Sequence, residues 1–111
     1  MITRTAIFEG RIHRGHEDAF FTAVKERLAP LWRAFPGAVD VRFYAVDECD
    51  DPERPVFMIQ QIDYPSIAAM EHAITSPERD AARAVTMELM TLVDGRLYHV
   101  ITGRHHLIPG P

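Results

Sequence analysis

Cysteine occurs once in this 111-residue chain, at Cys49, and asparagine does not occur at all. A lone thiol excludes an intrachain disulfide and suits a reducing compartment, so a cytoplasmic location is expected. No apolar run approaches the roughly 20 residues that a bilayer-spanning helix needs, and the first residues do not read as a signal peptide. No membrane association is therefore expected. Basic charge is in deficit: 12 Lys+Arg against 16 Asp+Glu give a net charge of −4 and a pI near 5.8. That balance argues against nucleic acid or an anionic membrane as a partner. Glycine-rich phosphate loops, a G-x-S-x-G elbow and the H-E-x-x-H and H-x-x-x-H spacings are all missing. Nucleotide cradles, that class of hydrolase and helical zinc sites thus have no support. Cys49 lies among Glu48, Asp50 and Asp51, whose charge disfavours a thiolate, so it is a poor nucleophile.

What is present is an ordinary globular composition, 47% apolar and 25% charged. A chain of this length is expected to form one domain over residues 1–111, burying roughly 65% of the unfolded surface. It is organised around residues 56–77. Val56, Phe57, Met58 and Ile59 are bulky on both parities, which predicts a strand over 56–63 covered on both faces; Gln60 and Gln61 place an amide on each. Tyr64-Pro65-Ser66 stops the strand, because proline cannot donate to a ladder. Ser66 then caps a helix over 67–74, and Ser76-Pro77 starts another over 77–93. The inner side of that last helix is expected to carry Ala81, Val85, Glu88, Leu89 and Leu92, Glu88 at its border, with Asp94-Gly95 as its stop.

Upstream, 2–12 reads as a first strand. A helix is expected over 17–35, with Phe20, Val24, Leu28, Leu31 and Phe35 on one face and Pro30 kinking or dividing it near Leu28. Residues 38–46 alternate: Val39, Val41, Phe43 and Ala45 on one face of a second strand, Asp40, Arg42 and Tyr44 on the other. An acidic exposed connection follows over 47–55, a fourth strand is expected over 96–107, and the proline-bearing end at 108–111 cannot extend it. The order β-α-β-β-α-α-β predicts an α+β, ferredoxin-like fold, a four-stranded antiparallel sheet with helices on one face. The other sheet face then needs cover as well. The simplest cover is a second copy, so a homodimer through the open sheet face is expected.

Four stretches carry a resemblance: Gly15-His16-Glu17-Asp18-Ala19-Phe20, Phe35-Pro36-Gly37-Ala38, residues 57–65, and Met70-Glu71-His72-Ala73-Ile74-Thr75-Ser76-Pro77-Glu78. In their order and spacing they resemble the dimeric α/β-barrel superfamily, and within it the antibiotic biosynthesis monooxygenase type. The resemblance implies paired sheets forming a barrel-like dimer, with a pocket between each sheet and its helices. Members include cofactor-independent oxygenases acting on quinols and anthrones, haem-degrading enzymes, lactone isomerases and proteins without known activity. The haem-degrading members rely on an Asn–Trp–His set, which a chain without asparagine cannot complete. In the oxygenase, a base removes a phenolic proton, the carbanion passes an electron to oxygen, and no cofactor is needed. Beside this stand a small-acid isomerase or lyase using the same base, and a non-catalytic dimer with a filled core.

Candidate residues follow. His99, inside the last strand, is the candidate base if it faces the pocket, and otherwise an ordinary core or interface histidine. Arg42 and Tyr44, on one face of the second strand with Asp40, could steady an oxyanion or could form an intersubunit ion pair. An oxygenase needs an aromatic pocket lined by Trp32, Phe20 and Met58, although Trp32 near the helix kink is otherwise a helix-to-sheet packing residue. His72 sits on the short helix that lines the pocket in the resembled family, although it falls off the inner stripe of Ile67, Met70 and Ile74. His105 and His106, read as strand neighbours, would point to opposite faces and could not share one ion. No metal is expected.

Overall fold

Strand β1, Ile2–Ile12, is the axis on which the rest is assembled. In the computed structural model, which describes residues 1–108, β1 pairs antiparallel with both β3 (Val56–Tyr64) and β4 (Val93–Thr102). Strand β2 (Asp40–Ala45) pairs antiparallel with β3, giving the order β2-β3-β1-β4. Residues 109–111 of the expected tail lie outside the described residues. The chain has the expected α+β, ferredoxin-like fold, with its helices against one face of the sheet.

Side-chain alternation sorts the two faces. Ala6, Phe8, Met58, Ile62 and Tyr64 are buried towards the helices. On the open face the register lines up Tyr44, Ile59, Ile7 and Tyr98 in one row across all four strands. The next row is Arg42, Gln61, Thr5 and Val100. A bulge opposite Phe8 and Glu9 inserts Phe57, whose ring meets Phe8 and Phe20 edge-on at 6.0 and 5.5 Å. The two glutamines divide as expected: Gln60 is buried and Gln61 bonds Thr5 on the open face.

Helix α1 (Glu17–Ala23) and helix α2 (Ala29–Arg33) are joined by one π-helical turn, Val24–Leu28. Pro30 has no N–H and crowds the carbonyl four residues back. The widened turn absorbs this, so the expected break near Leu28 is a π turn rather than a division. Helix α3 (Ile67–Ile74) is capped by Ser66, which accepts from the Ala69 amide at 3.1 Å. Helix α4 (Pro77–Leu89) is capped by Ser76 and ends in a 3₁₀ turn, Met90–Leu92. Ser76 is buried; it accepts from the Arg79 amide at 3.2 Å and donates to the Ala73 carbonyl at 2.5 Å. The cap therefore fixes the first turn of α4 against the end of α3, a contact of a kind that contributes about 1 kcal/mol.

The fourth strand differs most from expectation. Asp94-Gly95 is not a stop but part of β4, which begins at Val93 and ends at Thr102. Gly95 lies opposite Gly10, and a Cβ on either would run into the backbone of the other strand. Glycine is there so that two strands can approach, not to end a helix. His105 and His106 fall beyond the strand.

Candidate functional site

A cavity of about 340 Å³ opens between the helix-facing side of the sheet and α4. Alternate residues of β1, Arg4, Ala6 and Phe8, form its floor, and the register sets His99 opposite Ala6 and Leu97 opposite Phe8. Ala6 offers only a methyl group between larger neighbours, which leaves room above it. Arg79, Ala82, Arg83 and Thr86 recur every three or four residues and present one face of α4 to the space. Trp32 and Phe35 close the side, Trp32 held edge-on against Phe43 at 5.5 Å.

His99 is the titratable group of this cavity that leaves a charge-neutral form at pH 7. By surface area the residue is exposed, because the cavity it lines is open, yet the protein packed round the ring still penalises its cation. Burial first, then the charges of Arg4 and Arg79, push its pKa from 6.5 down to about 4. Burial also lowers the pKa of Arg4, with the Arg79 charge acting in the same direction. Arg4, Arg79 and His99 are thus one electrostatic cluster contributed by β1, α4 and β4. The Tyr64 hydroxyl is fully buried without a hydrogen-bond partner among the described residues, and burial raises its pKa against the pull of Arg4.

The structure brings together only part of the residue set drawn from the sequence. His99 and Trp32 line the cavity. Phe20 and Met58 do not: each is 1% exposed in the solid core behind it. His72 is exposed on α3 and is not among the lining residues. Arg42 and Tyr44 stand on the opposite face of the sheet, so within one chain they cannot steady an oxyanion beside His99. Strand alternation forces this, since His99 is paired with Ala6 on the helix side and Arg42 with Gln61 on the open side. Arg42 is occupied within its own chain, donating to Asp63 at 2.6 and 3.2 Å and to Asp40 at 2.6 Å. These bonds raise the Arg42 pKa and, led by the Arg42 hydrogen bond, lower that of Asp63.

The cations of the cavity, Arg4, Arg79 and Arg83, are not among the candidates that the sequence offers. The signal for two of them was available. Arg79 and Arg83 flank Ala82 one turn apart, and Ala82 is buried. Of the expected inner stripe, Leu89 is buried and Val85 and Leu92 are half-buried, whereas Ala81 is exposed and Ala82 takes its place; Glu88, expected at the border, is exposed and bonds Arg27 at 2.6 Å.

No family model and no curated protein sequence matches the chain. Solved structures do. An antibiotic biosynthesis monooxygenase matches with a TM-score of 0.65 and 15% identity, over 96% of this chain and 100% of that one. SnoaB from Streptomyces nogalater, a cofactor-independent oxygenase, matches at 0.58 and 18%, over 96% and 95%. A dimeric protein of unknown function and ferredoxin-like fold from Bacteroides fragilis matches at 0.68 and 10%, over 91% and 93%. At these identities the likeness is one of architecture, and the chain has the ferredoxin-like fold shared by structures of the antibiotic biosynthesis monooxygenase type.

Proposed function

We propose that this chain is a homodimeric protein whose cavity takes a small aromatic molecule and oxidises it with molecular oxygen, without a cofactor. The observation that carries the reading is His99, a neutral imidazole on the floor of a cavity walled by Phe8, Trp32 and Phe35. The cavity volume, about 340 Å³, falls at the small end of the roughly 300–1,000 Å³ typical of ligand sites. In this chemistry the imidazole accepts the phenolic proton of a hydroxyarene, or the acidic ring C–H proton opposite the carbonyl of an anthrone, and later returns it to the peroxide. The resulting anion gives one electron to oxygen, the radical pair combines at carbon, and the hydroperoxide loses water to leave a carbonyl. One oxygen atom enters the ring and the other leaves as water. The apolar walls exclude solvent from the intermediates. The likeness to a cofactor-independent oxygenase supports the reading at the level of fold.

A non-catalytic dimer with a filled core fits less well, since a cavity is present. A small-acid isomerase or lyase is favoured by one feature, the inward cations, although these are Arg4 and Arg79 and not Arg42. Dimerisation is supported by the open face, where Tyr44, Ile59, Ile7 and Tyr98 form a largely apolar row that no helix covers among the described residues, Arg96 alone lying over the Tyr98 ring at 4.9 Å.

The test is oxygen uptake with anthrone as substrate, using the purified, chelator-treated protein. Acceleration over buffer with equimolar formation of anthraquinone is expected. A rate equal to that of buffer overturns the oxidation.

A further inference from the structure

We infer that the molecule held in this cavity is an anion, an aromatic acid whose carboxylate sits between Arg4 and Arg79 with its rings against Trp32 and Phe35. The inference deepens the ligand-binding reading above and rests on it.

Three arginines of the fold are half-buried, Arg4, Arg42 and Arg79. Arg42 is saturated by Asp63, Asp40 and Gln61. Arg4 and Arg79 make no ion pair and no side-chain hydrogen bond among the described residues, and both line the cavity. A guanidinium that is partly withdrawn from water without a counter-ion is costly, and evolution rarely leaves two of them facing one space. Among the described residues the lining holds no aspartate or glutamate, while Arg83 adds a third cation at the exposed side of α4. In a chain of net charge −4 this is a local reversal of sign. The two inner cations are also preorganised. Arg4 comes from the central strand β1 and Arg79 from the first turn of α4, where Ser76 holds its amide. Two planar donors brought from rigid elements suit a carboxylate better than a neutral hydroxyl.

The same arrangement couples the ligand to His99. The charges bearing on its ring are Arg4 from β1 and Arg79 from α4, while Arg83 from α4 and neutral Gln60 from β3 line the same cavity. A carboxylate placed among them offsets the guanidinium charges and favours the imidazolium. Binding an acid therefore makes His99 a better proton acceptor than it is in the empty cavity, which brings it closer to the basicity that general-base catalysis uses best.

The experiment compares 2-naphthoate with its neutral isostere 2-naphthamide on the full chain at pH 7. Calorimetry gives affinity, and NMR follows the Trp32 indole N–H and the His99 ring. Naphthoate is expected to bind at least 10-fold more tightly, Arg79→Gln to abolish that preference while naphthamide still binds, and the His99 pKa to rise with naphthoate alone. Equal binding of the two compounds, with Trp32 responding to both, overturns the anion and leaves the aromatic cavity standing. No response of Trp32 to either overturns both. Should Arg79→Gln fail to fold, the unmodified chain still decides: a His99 pKa that does not rise with naphthoate contradicts the inference.

Discussion

Replacing His99 with alanine is expected to slow anthrone oxidation by roughly 10²- to 10⁴-fold, the range that a positioned general base contributes. The fold should survive, because the ring projects into an open cavity and no hydrogen bond within the protein depends on it among the described residues. Binding of the substrate should change little, so the loss falls on kcat rather than KM. The pH profile separates this role from a packing role. A base works only while unprotonated, and the His99 pKa in the empty cavity is pushed down to about 4. The acid limb of kcat/KM, which reports the free enzyme, should therefore lie near pH 4. A limb near 6.5, the ordinary histidine value, would mean that another histidine or an unperturbed ring is the base. Unchanged turnover in a folded His99→Ala protein removes His99 from the mechanism.

Ile7→Glu is expected to convert a dimer into a monomer. Ile7 sits on the central strand, in the middle of the row formed by Tyr44, Ile59 and Tyr98 on the open face. Pairing through this face brings each row onto its copy, and a stable pairing buries on the order of 1,200–2,000 Å². A glutamate at the centre would place an unpaired carboxylate from each copy in that contact, costing several kcal/mol per charge. Within a single chain the substituted side chain faces away from the core, so the monomer should keep its fold. Light scattering at micromolar concentration should read twice 12.6 kDa for the unmodified chain and 12.6 kDa for the variant. A monomeric unmodified chain would contradict the pairing.

The elements that were legible in the sequence are those with strong local chemistry. Ser66 and Ser76-Pro77 mark helix starts whatever lies around them, and the alternation of Val41 and Phe43 against Arg42 and Tyr44 sets a strand's two faces. Long-range register was not legible. Gly95 reads as a helix stop until Gly10 is seen across from it, and Arg42 and His99 appear as partners until strand pairing puts them on opposite sides of one sheet. Phe20 and Met58 are aromatic-pocket residues by composition but core residues by packing, a difference that only a cavity's position settles. Arg4 and Arg79 were passed over because an arginine in an amphipathic element is ordinarily solvated. What makes these two distinct is that, among the described residues, neither has a counter-ion in its half-buried place, which is a property of the folded chain.

On the proposed function, the space between sheet and α4 is where this protein meets its ligand. The most direct measurement is an anaerobic NMR titration with anthrone, in which the single tryptophan, Trp32, reports through its indole N–H. Saturable shifts are expected at Trp32, His99 and the amides of Ala82 and Thr86, with Tyr44 and Gln61 on the open face unmoved. Shifts confined to the open face, or none at saturating anthrone, would contradict that placement.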